Sequence, residues 1–213
     1  MVVLEGCIKK LLMHWLFNWK SEVLLRANWV SDVRLVRPPS YLLPWLTDTG
    51  SLTVKLIAAS QEFRVQCLFQ GVGMSLSDEY QALNLSRPRK VKLREVILHC
   101  DQEPCVFAHT ALPYSATALQ WPFFNRLGEK SLGSMLFHDP AIVRYRMQFA
   151  RLCAQNVLTR RISSYLELPE MPLFARRCLY IRHGGALLVT EVFLSTIAAK
   201  KTLSNPSVLN CRI

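Results

Sequence analysis

KLREVILHC (92–100), the turn residues DQEP (101–104) and CVFAHT (105–110) decide the fold. Two apolar runs separated by four turn-forming residues read as a β-hairpin. The first run carries a conflict. Arg94 shares a strand face with Val96, Leu98 and Cys100, although a guanidinium cannot shed its charge on burial. The conflict recurs in ALLVTEVFL (186–194), where Glu191 lies on the side that carries Leu187, Val189 and Phe193.

Working outward, FRVQCLFQ (63–70) sets Phe63, Val65, Cys67 and Phe69 against Arg64, Gln66 and Gln70, a strand exposed on one side. IVRYRMQFA (142–150) alternates Val143, Tyr145, Met147 and Phe149 with Arg144, Arg146 and Gln148. RCLYIRH (177–183), a tight turn at Gly184-Gly185 and ALLVTEVFL form a second hairpin. These segments predict six strands. Hairpins impose antiparallel pairing, so the fold class is α+β, a mostly antiparallel sheet with helices packed on it. In TDTGSLTVKLIAAS (47–60), Leu52, Leu56 and Ala59 at helical spacing predict a helix with its N-cap near Ser51. TALQWPFFNRLGEK (117–130) predicts another, ended by Gly128. RPPSYLLP (37–44) reads as an extended lead-in, because each proline disfavours helix before it.

With 213 residues, 51% of them apolar, the chain can bury one sizeable core and reads as one domain over 27–195. Residues 1–26 read as an extension, and 196–213 as a flexible basic tail. The extension has two lysines before LLMHWLF (11–17) but no cleavage site, and its apolar run is too short to cross a bilayer. An amphipathic surface helix, with weak membrane contact through residues 7–24, is the reading it permits. The 26 basic and 15 acidic residues give +11, consistent with nucleic acid, an anionic membrane or a small anionic substrate. The basic clusters RPRKVKLR (87–94), TRRIS (159–163) and ARRC (175–178) are separated by apolar strands. That argues against a nucleic-acid footprint and for mild attraction of anions. Seven cysteines show no metal-site spacing. Several fall in apolar strands, where cysteine is a small hydrophobe, which points to a reducing compartment, the cytoplasm.

The odd charges have two explanations. A structural ion pair between neighbouring strands, or an edge strand with its charge in water, is the commoner. The sharper one is a pocket cut into the sheet, in which Arg94 grips a carboxylate through its two-pronged geometry and Glu191 manages a proton. Two further features suit an anion: the free amides of Leu52 and Thr53 at the helix start, and Leu132-Gly133, read as a loop whose glycine lets backbone approach a ligand. GVG (71–73) lacks the rest of a dinucleotide fingerprint. The histidines show no ligand spacing, and no nucleophile elbow is present.

LREVILHCDQEP (93–104), AHTALP (108–113), LGEKSLGSMLF (127–137) and PLFARRCLYIRHGGALLVTEVFL (172–194), in that order, resemble the motifs of the chorismate lyase family. DTGSLTVKL (48–56) is similar to its early helix. The resemblance runs from roughly Trp29 to Leu194. It implies a six-stranded antiparallel sheet with the ligand buried under helical flaps. It also implies a monomeric cytoplasmic enzyme that needs no metal or other cofactor. The implied reaction converts chorismate, a dianion, to pyruvate and 4-hydroxybenzoate, the first step toward ubiquinone. The implied ligand contacts are Leu52, Arg94, Leu132 and Glu191, with Thr53 beside them; Arg94 anchors a carboxylate, and Glu191 acts as proton partner or hydrogen-bond acceptor. His109, preceded by Ala108, stands where many members have arginine, which implies a weakened or pH-dependent charge beside the cavity. AQNVLTRRISSYLELPE (154–170) looks like a lengthened loop. The other reading is a non-catalytic sensing domain, since effector domains of one class of bacterial transcription regulators share this fold. The residues ahead of the first helix cannot hold the DNA-reading unit such regulators carry.

Overall fold

Period-two alternation dominates from Phe63 onward, and it builds a sheet. The structure, a computed structural model, describes residues 26–116, 119–168 and 172–200; the extension up to residue 25, and with it the expected membrane contact, lies outside the described residues. The strands are β1 (Phe63–Met74), β2 (Lys90–Cys100), β3 (Glu103–Pro113), β4 (Ile142–Arg144), β5 (Gln148–Leu152), β6 (Leu173–Arg182) and β7 (Gly185–Phe193). They pair antiparallel in the order β1-β2-β3-β7-β6-β4, with β5 also on β6.

The sheet has seven strands rather than six because IVRYRMQFA breaks. Arg144 faces Tyr180 and Gln148 faces Arg177, so three residues, 145–147, stand opposite two. The extra residue flips the alternation: Val143 is exposed while Phe149, expected on its face, is buried. An irregularity between Cys67 and Phe69 does the same to β1. Leu68 packs inward and Phe69 emerges on the surface, as expected when a bulge inserts one residue.

Both hairpins turn on left-handed residue pairs, Asp101-Gln102 and His183-Gly184, as two-residue type I′ connections require. The second turn therefore lies one residue earlier than Gly184-Gly185, with Arg182 opposite Gly185. That single step moves the partner of Glu191 from Cys178 to Arg176.

The helices are short: α1 (Leu43–Leu46), α2 (Leu52–Ala58), α3 (Glu79–Ala82), α4 (Leu132–His138) and α5 (Val157–Ser163). Ser51 caps α2 as expected, its Oγ accepting from the Val54 N–H at 3.4 Å. RPPSYLLP is not extended. It runs through a 3-10 turn at Ser40–Leu42 into α1, whose Pro44 sits in the first turn, where a missing N–H costs nothing. The helix expected across 117–130 does not form in the described part. Pro122 would interrupt it, and Trp121 instead buries its ring and donates from Nε1 to Gly185 O at 3.1 Å. The helix falls one segment later, as α4, where a loop was expected. AQNVLTRRISS likewise holds α5, capped by Asn156 Oδ1 accepting from the Leu158 N–H at 2.9 Å. Ser195–Ala199 form a 3-10 turn with Ile197 buried.

Candidate active site

Register brings the two odd charges onto one face. Val96, Ala108, Glu191 and Arg176 form a row across β2, β3, β7 and β6; Arg94, Thr110 and Val189 form the next row. Two strand spacings and one row separate Arg94 from Glu191, roughly 12 Å between α-carbons. Their side chains converge on one cavity, lined also by Leu52, Thr53, Leu132 and Gly133. These six residues, all singled out in the sequence, lie around this space, which admits water centres over about 40 Å³.

Arg94 is 2% exposed. Its Nη2 donates to Gly128 O at 2.9 Å and Lys130 O at 2.8 Å, while Nε is buried without a partner. Burial pushes its pKa below the ordinary arginine value, but a guanidinium keeps its proton in a protein. Among the described residues no carboxylate pairs with it. A buried charge is costly unless paired, so this arginine creates a strong demand for an anion.

Glu191 does have a partner, although it is not Arg94. Arg176 donates from Nε to Glu191 Oε2 at 2.5 Å. The Nη1 of Arg176 reaches back to Trp45 O at 2.9 Å and Asp48 O at 2.8 Å. Arg176 thus fixes the glutamate and ties the segment ahead of α2 to the sheet. Sequence reading passed over it, although the correct two-residue turn, continued along the hairpin, places it opposite Glu191. Tyr180 also lines the cavity, and burial together with the nearby Glu191 pushes its phenol pKa up.

Two helix starts cover the site. Thr53 Oγ1 and Ser131 Oγ lie 2.5 Å apart, which joins the beginning of α2 to that of α4. A Cβ on Gly133 would stand 2.6 Å from Thr53 Oγ1, so the close approach of the two covers requires glycine there. The first N–H groups of a helix lack intrahelical acceptors and carry partial positive charge. With both starts beside Arg94, the cavity favours negative charge.

His109 belongs to the opposite face, which corrects the expectation that it modulates the cavity. It is fully buried, with Nε2 2.9 Å from Glu79 Oε1 and Nδ1 2.9 Å from Glu95 Oε1. Arg161 of α5 also pairs with Glu95. Burial alone would lower the histidine pKa, but the two carboxylates override it and hold His109 at about 9. Burial would likewise raise Glu95, yet His109 and Arg161 hold it at about 2. Strand alternation explains the placement: Ala108 and Thr110 face the cavity, so His109 cannot.

Among the described residues, no group of three His, Cys, Asp or Glu side chains is placed to hold a metal, and no helix is long and apolar enough to cross a membrane.

A protein described as a probable chorismate pyruvate-lyase in Cupriavidus metallidurans is 41% identical over 173 residues, covering 79% of this chain and 80% of that protein. One of the same description in Nitrosomonas eutropha is 39% identical over 162 residues, covering 76% and 91%. Among solved structures, PhnF from Mycobacterium smegmatis superposes with a TM-score of 0.49 at 15% identity, covering 70% of this chain and 65% of that one. The family profile described as chorismate lyase matches residues 23–203. The chain belongs to the chorismate lyase family.

Proposed function

We propose that this protein is a chorismate pyruvate-lyase that converts chorismate to 4-hydroxybenzoate and pyruvate. The observation that carries the reading is the buried Arg94 guanidinium, which no described carboxylate neutralises, in a covered cavity whose far side carries Glu191. A ligand with a carboxylate at one end of a six-membered ring and a hydroxyl at the other suits that pair. Arg94 grips the ring carboxylate through a charge-assisted bond. Glu191, held by Arg176, accepts from the hydroxyl at the opposite end. The amides of Leu52 and Leu132, with Thr53 between the covers, complete the polar lining.

The chemistry asks little else of the protein. A proton leaves the ring carbon that bears the hydroxyl, the ether carbon–oxygen bond breaks, and the ring becomes aromatic. The departing enolpyruvate takes up a proton to become pyruvate. Aromatisation drives the step, so holding one conformer with its reacting bonds aligned supplies most of what is needed. Closing α2 and α4 over the ligand keeps water from the ring. Glu191 is the carboxylate nearest the bonds that change, and it acts there as hydrogen-bond acceptor or proton partner. In the cell this reading describes a cytoplasmic monomer at the first step toward ubiquinone.

The test is direct. Purified protein incubated with chorismate and a chelator is expected to release the aromatic acid and pyruvate in equal amounts. Folded protein that releases neither would overturn the reading.

A further inference from the structure

We propose that Arg144 is a second carboxylate anchor of this site, one that takes the enolpyruvyl carboxylate of a dianionic substrate. The inference rests on the lyase reading and deepens it.

Charge counting leads to it. Most buried or half-buried arginines near the sheet have a carboxylate: Arg176 has Glu191, Arg177 has Asp78, Arg182 has Asp139 and Arg161 has Glu95. Arg94 and Arg144 pair with none among the described residues. Arg94, Arg176 and Glu191 leave the cavity with one net positive charge. Adding Arg144 makes two, the charge that a ligand with two carboxylates needs.

Its surroundings put Arg144 directly against residues that line the cavity, behind the lining rather than in it. From the end of β4 its Nη1 donates to Thr49 O, next to the lining residue Gly50. Its guanidinium carbon lies 5.3 Å from the ring centre of Phe137 and 5.9 Å from that of Tyr180, both of which line the cavity. The other acceptors it has are sulfur: Nε donates to Cys178 Sγ at 3.3 Å and Nη2 to Met147 Sδ at 3.2 Å. Thiol and thioether sulfur are weak acceptors. A carboxylate offers the guanidinium two strong charge-assisted bonds in their place.

The two anchors then divide the ligand. Arg94 holds the carboxylate that stays on the ring, and Arg144 holds the one that leaves with pyruvate. Substrate touches both, and the aromatic product touches Arg94 alone.

That asymmetry is the test. Arg144→Gln is expected to lower kcat/KM for chorismate by about 10- to 100-fold, the range for losing a hydrogen bond to a charged group. Inhibition by 4-hydroxybenzoate should stay within about twofold of the wild type, a bound well under one tenfold step in affinity. Retained product binding also reports that the variant is folded. Arg144→Lys, which keeps the charge, is expected to recover part of the loss, and Arg94→Gln should weaken substrate and product together. The proposal is overturned if Arg144→Gln leaves kcat/KM unchanged, or if it weakens product inhibition in proportion. Wild-type protein inactive toward chorismate would instead refute the parent reading.

Discussion

The two faces of the central sheet carry the same kinds of side chain and handle them in opposite ways. Along β2, Arg94 points to the cavity and Glu95 to the other side; along β6, Arg176 and Arg177 divide likewise. Behind the sheet the buried charges named above are answered: Glu79 and Glu95 hold His109, Arg161 completes the group, and Arg177 meets Asp78 while its guanidinium lies 4.4 Å from the Trp29 ring centre. On the cavity face the Arg176–Glu191 pair is matched, but Arg94 is not. A charge neutralised inside the fold serves the fold, whereas one left over awaits something from outside. Exposure does not separate the two cases, since Arg94 is as buried as Glu95.

Substitutions can break this contrast, and the largest effect is expected behind the sheet. Glu95→Gln leaves His109 and Arg161 short of a partner, and removing one member of a buried pair costs about 3–5 kcal/mol. For a chain of this size that lowers the melting temperature by roughly 10 °C, while turnover by folded protein at low temperature stays near normal. Arg94→Ala should do the reverse. Turnover falls about 10²–10³-fold, equivalent to about 3–4 kcal/mol of lost transition-state stabilisation. Thermal melts of that variant should fall less than those of Glu95→Gln, because the Gly128 and Lys130 carbonyls lose a donor but no buried charge is left unpaired.

pH separates the faces next. His109 sits at about 9 against roughly 6.5 in an unfolded chain. Its stabilisation is therefore complete below about 6.5 and lost as pH rises through 9, an effect of a few kcal/mol. Glu95, at about 2, acts at the other end: its contribution is present above about 4.5 and lost as pH falls toward 2. Melts of wild type and His109→Gln at pH 6 and pH 9 should show the alkaline decline in the wild type alone. Arg94 does not titrate in this range. The smallest effect is expected at the covers. Gly133→Ala places a methyl against Thr53 Oγ1 at 2.6 Å, an overpacking of about 1 kcal/mol that should weaken 4-hydroxybenzoate binding a few-fold. Adding Thr53→Ala should restore it.

Much of this was legible in the sequence, and the failures share one physical cause. Alternation identified β2, β3, β6 and β7, and the conflict it exposed at Arg94 and Glu191 marked the two side chains that meet the cavity. Alternation cannot register an inserted residue. One extra residue at 145–147 flipped a face and split a strand, and the turn placed one residue late concealed the pairing of Glu191 with Arg176. His109 carried the opposite lesson, because strand period alone sets it behind the sheet. The short helices were the least readable. Their residues have weak propensity in isolation and become helical through packing over the sheet, as LGSMLFH does in α4.

Arg94 ends with a consequence for what could ever replace it. The same guanidinium that leaves its Nε without a partner clasps the carbonyls of Gly128 and Lys130, immediately ahead of the covering helix. Recognition and roofing thus hang on one forked head group. A lysine there would keep the charge but has a single ammonium to divide between the strap and the guest, so the position admits no gradual exchange between the two basic residues.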